Sequence, residues 1–480
     1  MNKLKLAACG IDCNECGSYK VTMEQDLKAA ESLVAWYRSA GWIGANEDAE
    51  AVMSKNPLCN GCWNTTDDCF FKCGCGSVDF RICCKERQIN HCGECGDFPY
   101  KHYLEWANWE GAEHHKKVME YLLSLRNDKK MLSLDELKQI QLHRQHLTDK
   151  ADKYTVCRNL NGFQSQFTVN VEHSLKIRCN EMIEKDKYGN GLVKNWTIRG
   201  TVHVFNQEDM PLYKYQKEND PYQSHDWGKA TICAQRNCKI HPDRLEYIAR
   251  FIVDKILNGV TTREDIKLEC YQAGVSEVEG AYVFDQWGGL LRPLCERGFL
   301  CYKVQEKKEF MICPIYTPME RDEALIEQAR RYFTNFAPST VRDAAYYFGW
   351  TQTFVKEIMQ KLPLLQTTVD GKKYYYLEEL KNDYPDIPQC ILLSGFDQLM
   401  LGYQKQDSIY LPQQNLRGIF NLAGIVMPPI MLNGQVVGKW QKKGTKLTFT
   451  LFENTTEKNK RIITQTAESL WTDIKKVDWQ

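Results

Sequence analysis

The chain has 480 residues, 62 Lys and Arg against 62 Asp and Glu, and 43% hydrophobic side chains. That length implies two to four domains with material for sizeable cores, and a neutral balance removes net charge as a sign of a nucleic-acid partner. With 11% aromatic residues and no apolar run approaching the roughly 18 residues of a membrane span, a collagen-like, wholly disordered or transmembrane chain is excluded.

The segment Met1 to Cys9 ends like a lipoprotein cleavage site. It lacks the apolar stretch of about 7–15 residues that a signal peptide needs, so the expectation is a cytoplasmic protein with no membrane partner. Twelve of the 21 cysteines lie between Cys9 and Cys95, and the other nine are scattered from Cys157 to Cys390. Residues 1–130 hold 16 basic and 19 acidic side chains, leaving 46 and 43 for the rest. Neither part is basic enough to mark a nucleic-acid binder, so DNA contact would have to come from a local patch.

Within residues 1–100 the one helical pattern is Glu24 to Gly41, where Leu27, Ala30, Leu33, Val34 and Tyr37 recur at helical spacing. A polar amphipathic stretch from Tyr103 to Lys153 follows, broken near Asn127-Asp128, with an N-cap signature at Ser133-Leu134-Asp135-Glu136. Helical segments at Asp243–Asn258, Glu320–Phe336, Thr340–Tyr347 and Gln352–Leu362 then alternate with short strands such as Thr197–Phe205 and Lys372–Leu377. The run Tyr374-Tyr375-Tyr376 reads as a strand alternating between core and surface. After Gln389 the pattern turns to strands: Cys390–Leu393, Ile425–Leu432, Gln435–Trp440 and Leu447–Phe452. Asn433-Gly434 is the strongest hairpin signal in the chain. A closing helix is expected over Ile462–Val477.

The cysteines form three CxxC pairs, Cys13/Cys16, Cys59/Cys62 and Cys92/Cys95, joined by Cys9, Cys69, Cys73, Cys75, Cys83 and Cys84. A CxxC turn lets two thiolates reach one tetrahedral ion at about 2.3 Å while turn amides hydrogen-bond the sulfurs. In a reducing compartment such spacing favours metal ligation over disulfides. The expected ligands are Cys9, Cys13, Cys16, Cys59, Cys62, Cys69, Cys73, Cys83, Cys92 and Cys95, holding zinc or alternatively an iron–sulfur cluster. The spacing Cys9-x3-Cys13-x2-Cys16 also matches radical SAM enzymes. That reading requires a parallel βα barrel after the motif, whereas the next 90 or so residues offer more cysteines and one helix.

Two family resemblances follow. Cys9-Gly10-Ile11-Asp12-Cys13-Asn14-Glu15-Cys16, Cys59-Asn60-Gly61-Cys62 and Cys92-Gly93-Glu94-Cys95-Gly96-Asp97-Phe98-Pro99 resemble a small cysteine-rich domain of unknown function from anaerobic bacteria. A cysteine often follows that Phe-Pro in the family; here it is Tyr100. Further on come Gln164-Ser165-Gln166, Thr197-Ile198-Arg199-Gly200-Thr201-Val202-His203, Phe336-Ala337-Pro338-Ser339-Thr340-Val341-Arg342-Asp343, Leu392-Leu393-Ser394-Gly395-Phe396-Asp397 with Leu401-Gly402-Tyr403, and Asn433-Gly434-Gln435-Val436-Val437-Gly438-Lys439-Trp440. In this order they resemble the winged-helix DNA glycosylases that unhook interstrand crosslinks and excise bulky alkylated purines (AlkZ-like), over about residues 135–455.

That resemblance implies an α+β multidomain fold. The expected layout is a cysteine-rich metal-binding module over 1–105, a helical linker over 106–134, tandem winged-helix units over 135–385, a β-barrel over 386–455 and a C-terminal helix over 456–480. It also implies double-stranded DNA as partner, a monomer, and catalysis by Gln164 and Gln166, which fall on the family's Gln–apolar–Gln pair with Ser165 in the middle. An amide cannot act as a general base at neutral pH, but its carbonyl and NH2 can orient a water. That suffices only for a leaving base already activated, as an N7-alkylated purine is by its positive charge; positioning water and stabilising an oxocarbenium-like sugar would be the enzyme's part.

Arg199 and His203 are expected to face DNA or to support the glutamine pair. Lys439, Lys442, Lys443, Lys446, Lys458, Lys460 and Arg461 face only Glu453 and Glu457 over 23 residues, an excess suited to phosphates; Lys442, Lys443 and Lys446 are the expected contacts. The competing reading is a non-enzymatic winged-helix regulator whose cysteines sense metal or redox state. A regulator predicts a two-fold dimer and sequence preference, the glycosylase a monomer with little preference.

Overall fold

A computed structural model describes residues 6–61, 63, 70, 80–95, 97–108, 113–127, 132–181, 189–216 and 236–480. The chain forms two compact units, Met1–Met131 and Leu132–Gln480.

Among its described residues the smaller unit has two cores. In the first, helices Gly17–Glu24, Leu27–Ser39 and Ala49–Met53 bury Val21, Ala30, Tyr37 and Val52. The Leu27–Ser39 helix begins where Asp26 accepts the Ala29 amide, capping the run expected from Glu24 to Gly41. The second core sets Cys9, Cys84, Cys92 and Cys95 among Phe80, Tyr103, Trp106 and Leu122. Leu122 belongs to helix Glu113–Asn127. The stretch expected as a linker therefore supplies a core residue of the module.

The larger unit repeats one plan three times, helices followed by an antiparallel strand pair. The first repeat has helices Leu134–Arg144, Lys153–Asn159 and Thr168–Arg178, the short strand β1 (Phe163–Gln164), and the pair β2 (Leu192–Trp196) and β3 (Val202–Asn206). Its first helix opens with the expected capping box between Ser133 and Glu136. The second repeat runs from helix Pro242–Leu257 to β4 (Leu300–Tyr302) and β5 (Phe310–Ile312), and all five strands share one sheet of order β1-β3-β2-β4-β5. The third has helices Arg321–Asn335, Val341–Phe348 and Gln352–Met359 before β6 (Leu365–Val369) and β7 (Lys372–Tyr376). Ser339 pairs with Tyr375, giving this repeat its own short edge strand. Tyr374 and Tyr376 are buried and Tyr375 is half-exposed, the expected alternation. The strand expected over Thr197–Phe205 is a turn to Thr201 and a strand only from Val202.

The expected C-terminal barrel is instead an open sheet. Strands β8 (Cys390–Leu392), β9 (Pro429–Leu432), β10 (Gln435–Lys443), β11 (Lys446–Leu451) and β12 (Lys476–Trp479) line up as β12-β11-β10-β9-β8, leaving β8 and β12 as unjoined edges. Asn433 and Gly434 both take positive φ in the β9–β10 turn, as that hairpin requires. The closing helix is Glu457–Leu470, earlier than expected, and the last residues form β12, parallel to β11. Among the described residues no helix is long and apolar enough to cross a membrane.

Candidate active site

The strand β1 starts where the chain reverses through Asn161 and Gly162, both at positive φ. Only glycine fits at 162, because a Cβ there would lie 2.6 Å from the Val204 carbonyl oxygen. Asn161 tolerates the left-handed region because its side chain is held at both ends: Nδ2 donates to the Gln328 carbonyl, and Oδ1 accepts from the Tyr213 hydroxyl. Alternation along β1 then sends Phe163 into the core and Gln164 to the opposite face. Ser165 is 1% exposed and its Oγ has no hydrogen-bond partner among the described residues, although its amide continues the pairing to the Val202 carbonyl. Gln166 is exposed and leads into the Thr168–Arg178 helix.

Gln164 is buried, and its Oε1 accepts a hydrogen bond from Arg199 Nη2 at 3.3 Å. Arg199 sits in the β2–β3 turn at φ +58°, a region that costs a bulky residue about 1–3 kcal/mol. Its guanidinium lies 5.8 Å from the Tyr346 ring centre and 6.0 Å from that of Tyr347, on the Val341–Phe348 helix. Burial lowers its proton affinity while the two tyrosines oppose that shift, and a guanidinium stays charged at neutral pH. The turn is held from behind by Arg292, whose Nη2 donates to the Gly200 carbonyl and whose guanidinium stacks 3.9 Å from Trp196.

His203 pairs across the ladder with Gln164 and is 1% exposed, with Nδ1 3.2 Å from the Thr201 carbonyl. Burial, then the Arg199 charge, pushes its pKa down to about 3, so the ring is neutral. It is enclosed across the ladder from Gln164, and Arg199 contacts the same glutamine.

The Ser394–Gln398 segment clamps both ends of the motif. Asp397 makes a two-pronged ion pair with Arg178, at 2.6 and 3.0 Å, with both side chains fully buried. Attraction to Arg178 and hydrogen bonds from backbone amides hold the Asp397 carboxyl below its ordinary range against the opposing effect of burial. Ser394 Oγ meets Ser174 Oγ at 2.6 Å, and His173 Nε2 reaches the Leu392 carbonyl. On the other side, Gln398 Nε2 donates to the Gly162 carbonyl. Glu306, from the β4–β5 loop, caps the helix that follows Gln166 by accepting from the Thr168 amide and hydroxyl. Neither Gln398 nor Glu306 carried a signal in the sequence; each lies more than a hundred positions from the pair it supports.

The lysine hairpin differs. Lys442 pairs with Asp473 at 2.7 Å and Lys446 with Asp478 at 2.6 Å, while Lys443 is exposed. Both partners lie beyond the 23-residue stretch that ends at Arg461, and the parallel strand β12 and the turn before it bring them back. A cavity of about 620 Å3 runs along the Thr168–Arg178 helix, walled by Val169, His173, Trp440 and Trp471. Neither glutamine lines it; Lys442 there pairs with Asp473, and Lys176 Nζ donates to the Leu470 carbonyl.

In the smaller unit Cys9, Cys13, Cys92 and Cys95 are buried, with Cys16, Cys59 and Cys83 half-buried; Cys62, Cys69 and Cys73 lie outside the described residues. The Cys84 and Cys92 sulfurs stand 4.0 Å apart, the Tyr100 hydroxyl is 3.4 Å from Cys92 Sγ, and Arg87 donates to Cys95 Sγ. The Gly61 amide meets Cys59 Sγ at 3.4 Å, as a CxxC turn requires. Thiols suit zinc or iron–sulfur chemistry. Among the described residues, however, no three Cys, His, Asp or Glu side chains converge on one point, so no complete ligand set is assembled.

Residues 157–472 match the model of the family described as DNA glycosylase AlkZ-like, and the chain belongs to that family. Residues 5–105 match a second family, described as a protein of unknown function (DUF3795). A curated relative, the interstrand DNA cross-link repair glycosylase of Streptomyces sahachiroi, is 23% identical over 324 residues, covering 62% of this chain and 85% of the relative. The solved structure of Streptomyces sahachiroi DNA glycosylase AlkZ is similar in fold, with a TM-score of 0.61 at 20% identity over 73% of this chain and all of that one.

Proposed function

We propose that this chain is a monofunctional DNA glycosylase that hydrolyses the N-glycosidic bond of alkylated or crosslinked purines in double-stranded DNA. The observation that carries the reading is the Gln164 amide held by Arg199 beside an exposed Gln166, on a strand edge locked by Asn161, Gly162 and Gln398. In the reaction the C1′–N bond breaks with both electrons passing to the purine, whose positive charge is cancelled. The water oxygen bonds to C1′ and its second proton leaves to solvent. No acid is needed at the leaving base, which fits a site of two amides and a neutral His203. The pair supplies position and dipoles, worth several kcal/mol when preorganised.

The three repeats are read as winged helices, since each sets a helix pair before a strand hairpin. Helices of this kind meet DNA chiefly through phosphates. Incubation with duplex DNA carrying N7-methylguanine tests the activity: abasic sites are expected, and none at any enzyme excess overturns it. Gln164→Ala with Gln166→Ala should abolish release while leaving duplex affinity within a few-fold.

For the smaller unit we infer bound zinc, or an iron–sulfur cluster, on a set drawn from Cys9, Cys13, Cys16, Cys59, Cys83, Cys92 and Cys95 with cysteines outside the described residues. Bound metal would contribute folding free energy to this cysteine-rich module. Elemental analysis of anaerobically purified protein should find at least one metal per chain.

A further inference from the structure

Cys83 and Cys84 adjoin in the sequence, yet the helix Phe80–Glu86 sends them to different surroundings. Residues four apart share a helix face. Cys84 therefore lies with Phe80, and both are buried in the second core of the smaller unit, Cys84 at 0% exposure. Cys83 is half-buried and lies one turn before Arg87, whose amide donates to the Cys83 carbonyl. The Arg87 guanidinium meets Asp97 at 2.6 Å and Cys95 Sγ at 3.1 Å. One cysteine of the adjacent pair faces the core and the other a charged rim.

Three segments of the chain meet at Cys84. Its sulfur is 3.8 Å from the Ala8 carbonyl oxygen, which also accepts the Cys92 amide at 2.8 Å. It stands 4.0 Å from Cys92 Sγ, and the Tyr100 hydroxyl lies 3.4 Å from that same Cys92 sulfur. Sulfur is a weak donor and a weak acceptor, so two thiols gain little from each other in a core. Two thiolates bound to one tetrahedral ion stand about 3.8 Å apart, each about 2.3 Å from it. The spacing of Cys84 and Cys92 is close to that value.

We propose, building on the bound-metal reading of the smaller unit, that Cys84 and Cys92 are two ligands of one metal ion, and that Cys84 rather than Cys83 is the ligand of the adjacent pair. No third Cys, His, Asp or Glu among the described residues converges with them, so further thiolates close on the ion as it binds. A metal-bound Cys92 has no proton to give, which makes the Tyr100 hydroxyl the donor of their hydrogen bond. Tyr100 is thus a positioning residue for the Cys92 thiolate. The Ala8 carbonyl ties the segment that carries Cys9 to the same place.

The test reads metal rather than activity, in the full-length protein purified anaerobically. Metal content is measured first. The charge-transfer absorption of thiolate to metal is then recorded on the cobalt(II)-loaded protein, or on the cluster itself where iron is found. Cys83→Ser should keep the parent's metal and its band. Cys84→Ser should lose one metal per chain, or hold it with a weaker band. Tyr100→Phe removes the hydrogen bond and leaves every ligand in place, so its affinity should fall about 10–100-fold in chelator competition. Should Cys84→Ser fail to fold, that competition decides, and an unchanged affinity overturns the proposal. A folded Cys84→Ser protein with the parent's metal and band, or an equal loss in Cys83→Ser, overturns the assignment and leaves the bound-metal reading standing. A parent protein that holds no metal and takes up no cobalt(II) ends both.

Discussion

Two polar regions of the larger unit handle positive charge in opposite ways. At the β1 edge the Arg199 guanidinium is aimed at an uncharged amide and flanked by two tyrosine rings. On the β10–β11 hairpin, Lys442 and Lys446 each end on a carboxylate. A cation set against a neutral group keeps its field for what lies next to it. One matched to a carboxylate at 2.6–2.7 Å gives most of that field up. The first arrangement is also anchored deep in the core through Arg178 and Asp397, whereas the second is a set of surface pairs of the kind worth at most about 1 kcal/mol each. Local charge counts are therefore a poor guide to where a ligand's charge is met.

The comparison is broken most forcefully at the anchor. Asp397→Asn removes one half of a fully buried pair and leaves Arg178 uncompensated, which should cost about 3–5 kcal/mol in denaturant unfolding. Lys442→Gln should cost under about 1 kcal/mol in the same assay. Similar losses for the two would erase the distinction.

The buried imidazoles sharpen it by pH. His173, like His203, is neutral in the fold; burial brings its pKa down to about 4. The unfolded chain binds these protons near pH 6.5 and the folded one does not, so their stability is complete above that value. It is lost as the pH falls below it, by up to about 1.4 kcal/mol per pH unit for each group. Melting temperatures between pH 7.5 and 5 should fall accordingly, and His173→Asn should flatten the decline.

On the hairpin, replacing Lys442, Lys443 and Lys446 together by Gln should lower the salt slope of duplex binding by about 1 unit. Three unpaired phosphate contacts would give close to 3. A drop near 3 would mean that Asp473 and Asp478 release their lysines when DNA arrives.

The smallest effect is expected at Ser165. Its buried hydroxyl has no partner among the described residues, so Ser165→Ala should leave stability unchanged or raise it by up to about 1 kcal/mol, read as a shift in unfolding midpoint. A loss greater than 1 kcal/mol would assign the hydroxyl a bond.

The ordered motifs turn out to be largely places where the chain touches itself. Gly402 packs against Phe336, where a Cβ would come within 2.4 Å of the ring, and the Tyr403 hydroxyl donates to the Phe336 carbonyl. Ser394 and Asp397 reach Ser174 and Arg178 on the helix that follows Gln166. These motifs identified the family and the glutamine pair because close contacts restrict residue type. Periodicity and turn chemistry determined the Ser133 cap, the Asn433-Gly434 hairpin and most of the helices, since those depend on neighbours within a few positions. What depends on distant partners was decided only by the tertiary structure. The open final sheet, the carboxylates against Lys442 and Lys446, the burial of His203 and the Arg199 contact to Gln164 each join residues 30 or more positions apart or rest on packing from other elements. No local pattern encodes which face of a strand another element will cover.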